Sequence, residues 1–382
     1  MSRRAARVVC APNAFKGSLS ALDAAAAMAL GVADAGGVSR SVPVADGGDG
    51  TLEVLLASDA ASRVTRHAVA GPLGATVEAR LGWLGDGTAV VEMAEASGLR
   101  LLGEGELDPL HATSRGTGEL IRAALDAGAA RIIVGVGGSG STDGGAGALQ
   151  ALGARLLDAS AQNLAAGGAA LRALESIDLS ALDARLRAAV VEVAVDVRTP
   201  LLGTQGAAAL FAPQKGATPA DVAVLEAGLA RLSEVAMREG VSGDLSVQPG
   251  AGAAGGAAFG LALAGARLVP GAELVCDLVG LDAVLGDADL VLTGEGRLDA
   301  QTLLGKAPSE VAIRASSAAV RCVAVAATVV DQLPELFTGT VSLDRIAPGR
   351  DTRRGTAGLV RLATSYAVSR FGVGSAAGGT DS

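Results

Sequence analysis

Twice within the first sixty residues the chain repeats one unit: a short apolar run, a turn rich in small residues, and an alanine-rich helix. Val8 to Ala11 reads as a buried strand stopped by Pro12, which has no N–H to give to a ladder. Ser20-Ala21-Leu22-Asp23 then reads as a capping box with Asp at the third helical position, opening a helix to about Ala35. Val42 to Val44 is a second expected strand. It ends in Asp46-Gly47-Gly48-Asp49-Gly50, and a helix is expected from Thr51. Successive strand–turn–helix units predict an α/β fold, a doubly wound parallel sheet with helices on its faces.

Composition agrees with a layered fold. Hydrophobic residues make up 50% of the chain and aromatic residues only 2%, so the core must be built from Ala, Leu and Val. Small side chains let helices and sheets approach closely. At 382 residues the chain is long enough for two ordinary domains. Around Val64 to Val91 the pattern changes to alternating segments, Ala75 to Leu81 and Ala89 to Met93, and a second domain is expected there. A helix over Ser114 to Ala127, a strand over Ile132 to Val136 and a helix over Gly144 to Leu152 follow. Val190 to Val195 reads as a strand and Pro219 to Glu239 as a long helix. Leu290 to Thr293 and Val323 to Ala327 return to buried parallel-strand character. The expected organisation is one domain from residues 1–66 and 286–373, a second α/β domain inserted over residues 67–285, and a disordered tail over residues 374–382.

The net charge of -9, from 31 basic and 40 acidic residues, repels a nucleic-acid backbone. The three cysteines Cys10, Cys276 and Cys322 lie far apart, and the chain has only two histidines. That argues against a zinc site, a disulfide framework and a Cys/His couple. No export signal is visible, and the uncharged run from Gly250 to Ala266 reads as a buried helix, so the cytoplasm is expected and a membrane partner is not.

The strongest local signal is a repeated glycine turn at a helix start. Asp46-Gly47-Gly48-Asp49-Gly50-Thr51 and Asp143-Gly144-Gly145-Ala146-Gly147 each follow a strand; Pro249-Gly250-Ala251-Gly252-Ala253-Ala254-Gly255-Gly256 is a third. Such turns uncover backbone N–H groups at the positive end of a helix dipole, which suits a phosphate, and a neighbouring Asp suits magnesium. A tight turn with an Asp cap has the same sequence signature. Gly135-Val136-Gly137-Gly138-Ser139-Gly140 formally matches a dinucleotide fingerprint, with Asp158 downstream, so an NAD-linked oxidoreductase is the competing enzyme class.

Gly294-Glu295-Gly296-Arg297-Leu298-Asp299 follows the strand Leu290 to Thr293, where open α/β sheets bind ligands. Asp299 can accept a hydroxyl proton there and Glu295 can coordinate a metal or orient a substrate, although an exposed Arg–carboxylate loop reads the same. Only three lysines occur, Lys16, Lys215 and Lys306, each beside a glycine. A lysine kept among so many arginines suits a compact phosphate clamp. Ser114 and Arg115 before a helix can grip a carboxylate, or simply cap it. Asp196, at the end of an apolar strand, needs a partner or a metal.

Read together, these stretches resemble the bacterial glycerate kinase family that makes 2-phosphoglycerate. The segments that carry the resemblance begin Ala11-Pro12-Asn13-Ala14-Phe15-Lys16-Gly17, Pro43-Val44-Ala45-Asp46-Gly47-Gly48-Asp49-Gly50-Thr51 and Glu92-Met93-Ala94-Glu95-Ala96-Ser97-Gly98-Leu99. They continue through Thr113-Ser114-Arg115-Gly116-Thr117-Gly118, Gly137-Gly138-Ser139-Gly140-Ser141-Thr142-Asp143-Gly144-Gly145 and Pro213-Gln214-Lys215-Gly216. The last are the Pro249–Gly256 turn and Thr293-Gly294-Glu295-Gly296-Arg297-Leu298-Asp299-Ala300-Gln301. The resemblance implies a Rossmann-like domain with a second α/β domain inserted, ATP and magnesium as cofactors, and glycerate as the acceptor, in a monomer or homodimer. It further implies Lys16, Asp143, Asp196, Glu295 and Asp299 as catalytic residues, with magnesium on Asp143 and Asp196. Asp46, Gly47, Gly48, Asp49, Ser114, Arg115, Gly138, Ser139, Gly144, Lys215, Gly252, Gly255, Arg297 and Lys306 are the implied substrate and phosphate contacts. Three positions depart from the family pattern: Asn13 stands where many members have Asp, Thr199 replaces an Asn, and Ala326-Ala327-Thr328 stands where a Gly-containing turn is usual. A small-molecule-binding relative that has lost turnover is therefore a further alternative.

Overall fold

The computed structural model describes residues 4–240, 245–300, 302, 305–330 and 336–372. The expected tail over residues 374–382 lies outside the described residues. In chain order the strands are β1 (Arg7–Pro12), β2 (Val38–Ser41), β3 (Arg63–Ala70), β4 (Thr76–Trp83) and β5 (Ala89–Glu92). They continue as β6 (Arg131–Gly135), β7 (Arg155–Leu157), β8 (Ser176–Asp178) and β9 (Val190–Val195). The last are β10 (Arg267–Pro270), β11 (Leu290–Leu298), β12 (Cys322–Val329) and β13 (Gly339–Ser342). Two compact units result: one from the described parts of Met1–Asp46, Glu53–Ser58 and Ala272–Ser382, the other from those of Gly47–Leu52 and Asp59–Gly271.

The first unit holds a five-stranded sheet in the order β13-β12-β11-β1-β2, and every neighbouring pair is parallel. Side chains alternate across it as a strand requires. Val8 and Cys10 pack with Met28 and Val360 on one face. Val9 and Ala11 pack with Val311 and Ala312 on the other. Helices cover both faces, which is why the strands read as unbroken apolar runs. Helix Ala21–Asp34 starts where its cap predicts: Ser20 Oγ accepts from Asp23 N at 3.1 Å. Its buried stripe of Ala21, Ala24, Ala25, Met28 and Val32 follows helical spacing. Cys10, Cys276 and Cys322 are all buried and free; burial pushes the Cys10 thiol up to about 12, which leaves it unreactive.

The second unit holds a six-stranded sheet in the order β10-β9-β6-β5-β4-β3 and the two-stranded β7-β8. The four strands from β10 to β5 run parallel, whereas β4 and β3 add an antiparallel edge. The mixed edge explains the alternating pattern around Val64 to Val91, where one strand face is exposed. Helix Pro219–Arg238 opens with Pro and a full capping box between Thr218 and Asp221.

Two expected strands are corrected. The second pairs with β1 over Val38–Ser41 rather than Val42 to Val44. Val42 and Val44 still bond to Cys10 and Pro12 carbonyls at 2.8 and 3.0 Å, and their burial gave the apolar signal. The strand beginning at Leu290 runs on to Leu298, because β12 extends to Val329 and pairs with it at Glu295, Arg297 and Leu298. Glu295 thus sits inside a strand rather than on a loop.

Candidate active site

In the first unit, β1 and β11 end side by side, with Pro12 paired to Gly294. The chain leaves β1 by donating Asn13 N to the Gly294 carbonyl at 2.8 Å. Asn13 Oδ1 accepts from Ala14 N at 2.7 Å, and its Nδ2 donates to Asp46 Oδ2 at 3.0 Å. Both side chains are buried. Glu295, on β11, is 7% exposed, and Thr302 Oγ1 donates to its Oε1 at 2.7 Å. Burial pushes the Glu295 carboxyl up to about 7; the Thr302 bond and Lys306 work against that rise, Asp46 and Asp299 add to it.

Lys306 is the N-cap residue of helix Ala307–Ser317. Lys16 is exposed in the turn after β1, and the backbone there lies against Gly296, whose added Cβ would stand 3.4 Å from Lys16 N. Arg297 pairs with Asp299 at 3.1 Å, the arginine 64% exposed, an ion pair of little energetic weight. The first unit therefore gathers Asp46, Asp299 and Lys306 around the buried Glu295 carboxyl, with the Lys16 backbone beside the same strand. Thr302 was not singled out in the sequence. Its signal is the Asp299-x-x-Thr302 spacing of a side-chain-closed turn, in which Asp299 N donates to Thr302 Oγ1 at 3.2 Å.

In the second unit, the glycine turn after Asp46 meets the carboxyl ends of β6 and β9. Gly137 N donates to the Gly47 carbonyl at 3.1 Å. A Cβ on Gly47, at φ +92, would lie 2.4 Å from the Ala194 carbonyl, and one on Gly138 would lie 2.1 Å from Asp49 Oδ1. Gly47, Gly48, Asp49 and Gly138 thus come together two residues from the half-buried Asp196. The helix that follows, Thr51–Ser58, has its first amides already bonded. Glu92, at the end of β5, accepts from Gly50 N at 3.2 Å and Leu52 N at 2.9 Å. It is 2% exposed, and burial raises its carboxyl while those two bonds pull it down. An internal carboxylate fills the place at this helix start that the sequence reading gives to a phosphate. Glu92 was quoted in a motif but given no role; its position at a strand end was the available signal.

Asp143 is likewise turned inward. Its Oδ2 accepts from Ser114 N and Oγ, both at 2.8 Å, from Gly147 N at 3.2 Å and from Thr113 Oγ1 at 3.3 Å. Its Oδ1 accepts from Gly145 N at 3.1 Å. A fully buried carboxylate with five such donors closes two helix starts and has little left for a cation. Ser114 is buried in the same network, and Arg115 pairs with Glu119 at 3.0 Å across one helical turn.

Lys215 is 2% exposed. Its Nζ donates to Ser139 Oγ at 2.9 Å and to the Ser141 carbonyl. Burial drops the ammonium to about 7, with Asp143 opposing. A Cβ on Gly255 would fall 2.3 Å from the Ser141 carbonyl, one on Gly144 2.5 Å from Leu232, and one on Gly252 2.1 Å from the Pro200 carbonyl. These glycines let three turns close on one another, with Lys215 holding them from inside.

The dinucleotide reading loses its geometry. After Gly135 ends β6, the next helix begins only at Ala146, and Asp158 closes a surface turn by accepting from Ser160 N and Gln162 N at 2.8 and 3.0 Å.

The sequence model of the glycerate kinase family matches residues 8–357. The chain is 46% identical over 349 residues to a glycerate kinase of Bacillus subtilis, covering 90% of this chain and 91% of that one. It is 48% identical over 311 residues to the glycerate 2-kinase of Escherichia coli, covering 80% and 81%. A crystal structure from Salmonella typhimurium LT2 bearing the name glycerate kinase 2 superposes with a TM-score of 0.80 at 43% identity, over 95% of this chain and 97% of that one. A match of this length, on a mixed α/β fold of parallel sheets, makes the chain a member of the glycerate kinase family.

Proposed function

We propose that this protein transfers the γ-phosphoryl group of ATP to the 2-hydroxyl of D-glycerate, giving 2-phosphoglycerate and ADP. The observation that carries the reading is identity of 46% and 48% to relatives named for glycerate phosphorylation, sustained over most of each chain. The 2-position rests on the name of the Escherichia coli relative.

Phosphoryl transfer asks a protein mainly for positioning and charge stabilisation. In this reading Lys16 and Lys306 supply the positive charge for phosphate oxygens, and Arg297 supplies a planar fork for the acceptor carboxylate. Within the second unit, the exposed Asp49 and the glycine backbone of Gly47, Gly48 and Gly138 are the proposed phosphate contacts. Gly144, Gly252, Gly255, Ser139, Ser114 and Lys215 brace that turn as a packed cluster, and Arg115 is a proposed surface contact. The hydroxyl-side base is one of two acids, Glu295 on β11 or Asp299 just past its end.

Magnesium is part of the proposal. Asp143 does not fit it, since five internal donors already engage its carboxylate. Among the described residues no three His, Cys, Asp or Glu side chains are grouped to hold a metal. A cation that arrives on a nucleotide needs only one or two protein carboxylates, and Asp196 is the residue proposed to meet it. When bound, magnesium neutralises charge on the phosphate oxygens. We further take the two units as the two domains of the family fold, the compartment as the cytoplasm, and the assembly as a monomer or homodimer. No helix among the described residues is long and apolar enough to cross a membrane.

The test is ADP formation from ATP and magnesium with D-glycerate present and absent. Glycerate-dependent ADP is expected; ADP release that ignores glycerate, or none at all, would remove the proposal.

A further inference from the structure

We propose that Thr302 is a positioning residue for the reaction: by donating to Oε1 of Glu295 it turns Oε2 toward the acceptor hydroxyl and makes Glu295, rather than Asp299, the base. This rests on the kinase reading above and deepens it. Glu295 and Asp299 differ in what holds them. Glu295 lies within β11, its backbone paired to Ala326 of β12, and is 7% exposed. A strand interior fixes a side chain better than a loop does. Asp299 lies past the strand end and faces the exposed Arg297 at 3.1 Å, so its side chain is held by a loop rather than by a strand.

The Thr302 hydroxyl is fully buried and has two bonds. It donates to Glu295 Oε1 at 2.7 Å and accepts from Asp299 N at 3.2 Å. With its one proton spent on Oε1, rotation of the carboxyl is restrained and the second oxygen keeps its acceptor capacity. The charged groups that act on Glu295 come from three neighbouring elements: Asp46 after β2, Asp299 beyond β11 and Lys306 at the start of helix Ala307–Ser317; Lys16 brings its backbone N, not its ammonium, against Gly296. Thr302 and Lys306 favour the ionised carboxylate, while burial and the two aspartates favour the protonated acid. A carboxyl balanced in this way can take a proton near neutral pH.

The chemistry balances without another reactant. The acceptor oxygen forms a bond to the γ-phosphorus, and the bond from that phosphorus to the bridging oxygen of ADP breaks, its electron pair leaving on ADP. The hydroxyl proton passes to Oε2 of Glu295 and then to solvent, so each turnover releases one proton.

The experiment compares wild type, Thr302→Val, Thr302→Ser, Glu295→Gln and Asp299→Asn as full chains. In wild type kcat should fall on the acid side with the ionisation of one group. Thr302→Val removes a bond that favours the carboxylate, so that limb should move to higher pH by roughly one unit, with kcat near pH 7 down about fivefold and KM for glycerate changed less. Thr302→Ser should restore the wild-type limb. Glu295→Gln should abolish the limb with most of the turnover, and Asp299→Asn should leave the limb in place. A Thr302→Val profile lowered evenly at all pH values would make Thr302 a structural residue only, and a limb that survives Glu295→Gln would place the base elsewhere. Carbon-13 NMR titration of glutamate carboxyls, with Glu295→Gln assigning the signal, reads the contact without turnover. An unchanged midpoint in Thr302→Val overturns the positioning role. If wild type makes no glycerate-dependent ADP, the kinase reading and the base role fall together, and the titration still decides whether Thr302 holds Glu295.

Discussion

Asn13 shows how a departure from a family pattern can be locally consistent. Its amide donates to Asp46 at 3.0 Å, so an aspartate there would face a second carboxylate instead of a neutral partner. Asn13→Asp should give a pair in which one carboxyl titrates above its unfolded value. Stability would match wild type most closely below about pH 4. It would fall behind as pH rises through the raised value, by about 1–3 kcal/mol at pH 8. Denaturant melts of both proteins across that range check it, and a gap that does not widen with pH contradicts it. Lys215 carries the opposite sign of argument. Its ammonium is held at about 7 in the fold against 10.5 when exposed, so between those values the unfolded chain binds more protons. Wild type should therefore gain on Lys215→Met as pH rises from 7 toward 10, by ~2–4 kcal/mol. Parallel stability curves for the two proteins would show that Lys215 is not held neutral by burial. The sequence singled out Lys215, Asp143 and Ser114 as candidate ligand contacts, and all three are buried. What it could not show is direction: a residue that braces a turn from inside and one that faces a ligand sit in the same string of letters.

At the scale of elements, small residues decide how closely helices pack. Helices Ala21–Asp34 and Thr356–Phe371 touch at Gly31, where an added Cβ would lie 2.4 Å from the Arg361 carbonyl and 2.7 Å from Thr364 Cβ. Alanine is the better helix former by about 1 kcal/mol, yet overpacking against backbone costs about 1–3 kcal/mol. Gly31→Ala should therefore lower stability, with a reduced Tm in a thermal melt; a raised Tm would mean that the two helices can part without loss. The shortage of aromatic residues made such close packing foreseeable, and the helices with strong caps were legible almost to the residue. Strand ends were less so. Glycines at 294 and 296 read as a loop, but a Cβ on Gly294 would lie 2.0 Å from the Val325 carbonyl, so the glycine is there for close strand pairing. The helix start at Thr51 read as an open anion site because its occupant, Glu92, lies 41 positions away and only the sheet brings it near.

For the whole molecule, the repeated strand–turn–helix pattern announced the fold class, and ordered motifs along the chain announced the family. Neither depended on knowing which carboxylate does the chemistry. Both units place glycine turns and acids at the carboxyl ends of parallel strands, the usual ligand end of such sheets. The alternating pattern that gave the β3–β4 hairpin was visible because its two strands are neighbours in sequence, whereas β10 was hidden because its partner β9 lies far back along the chain. The measurement that bears most directly on the account is phosphorus-31 NMR of the product formed from D-glycerate, ATP and magnesium. The expected signal is the doublet of a secondary phosphate ester, 2-phosphoglycerate, growing in step with ADP. The primary ester, 3-phosphoglycerate, would contradict the assigned position, and ATP unchanged beside glycerate would contradict the kinase activity itself.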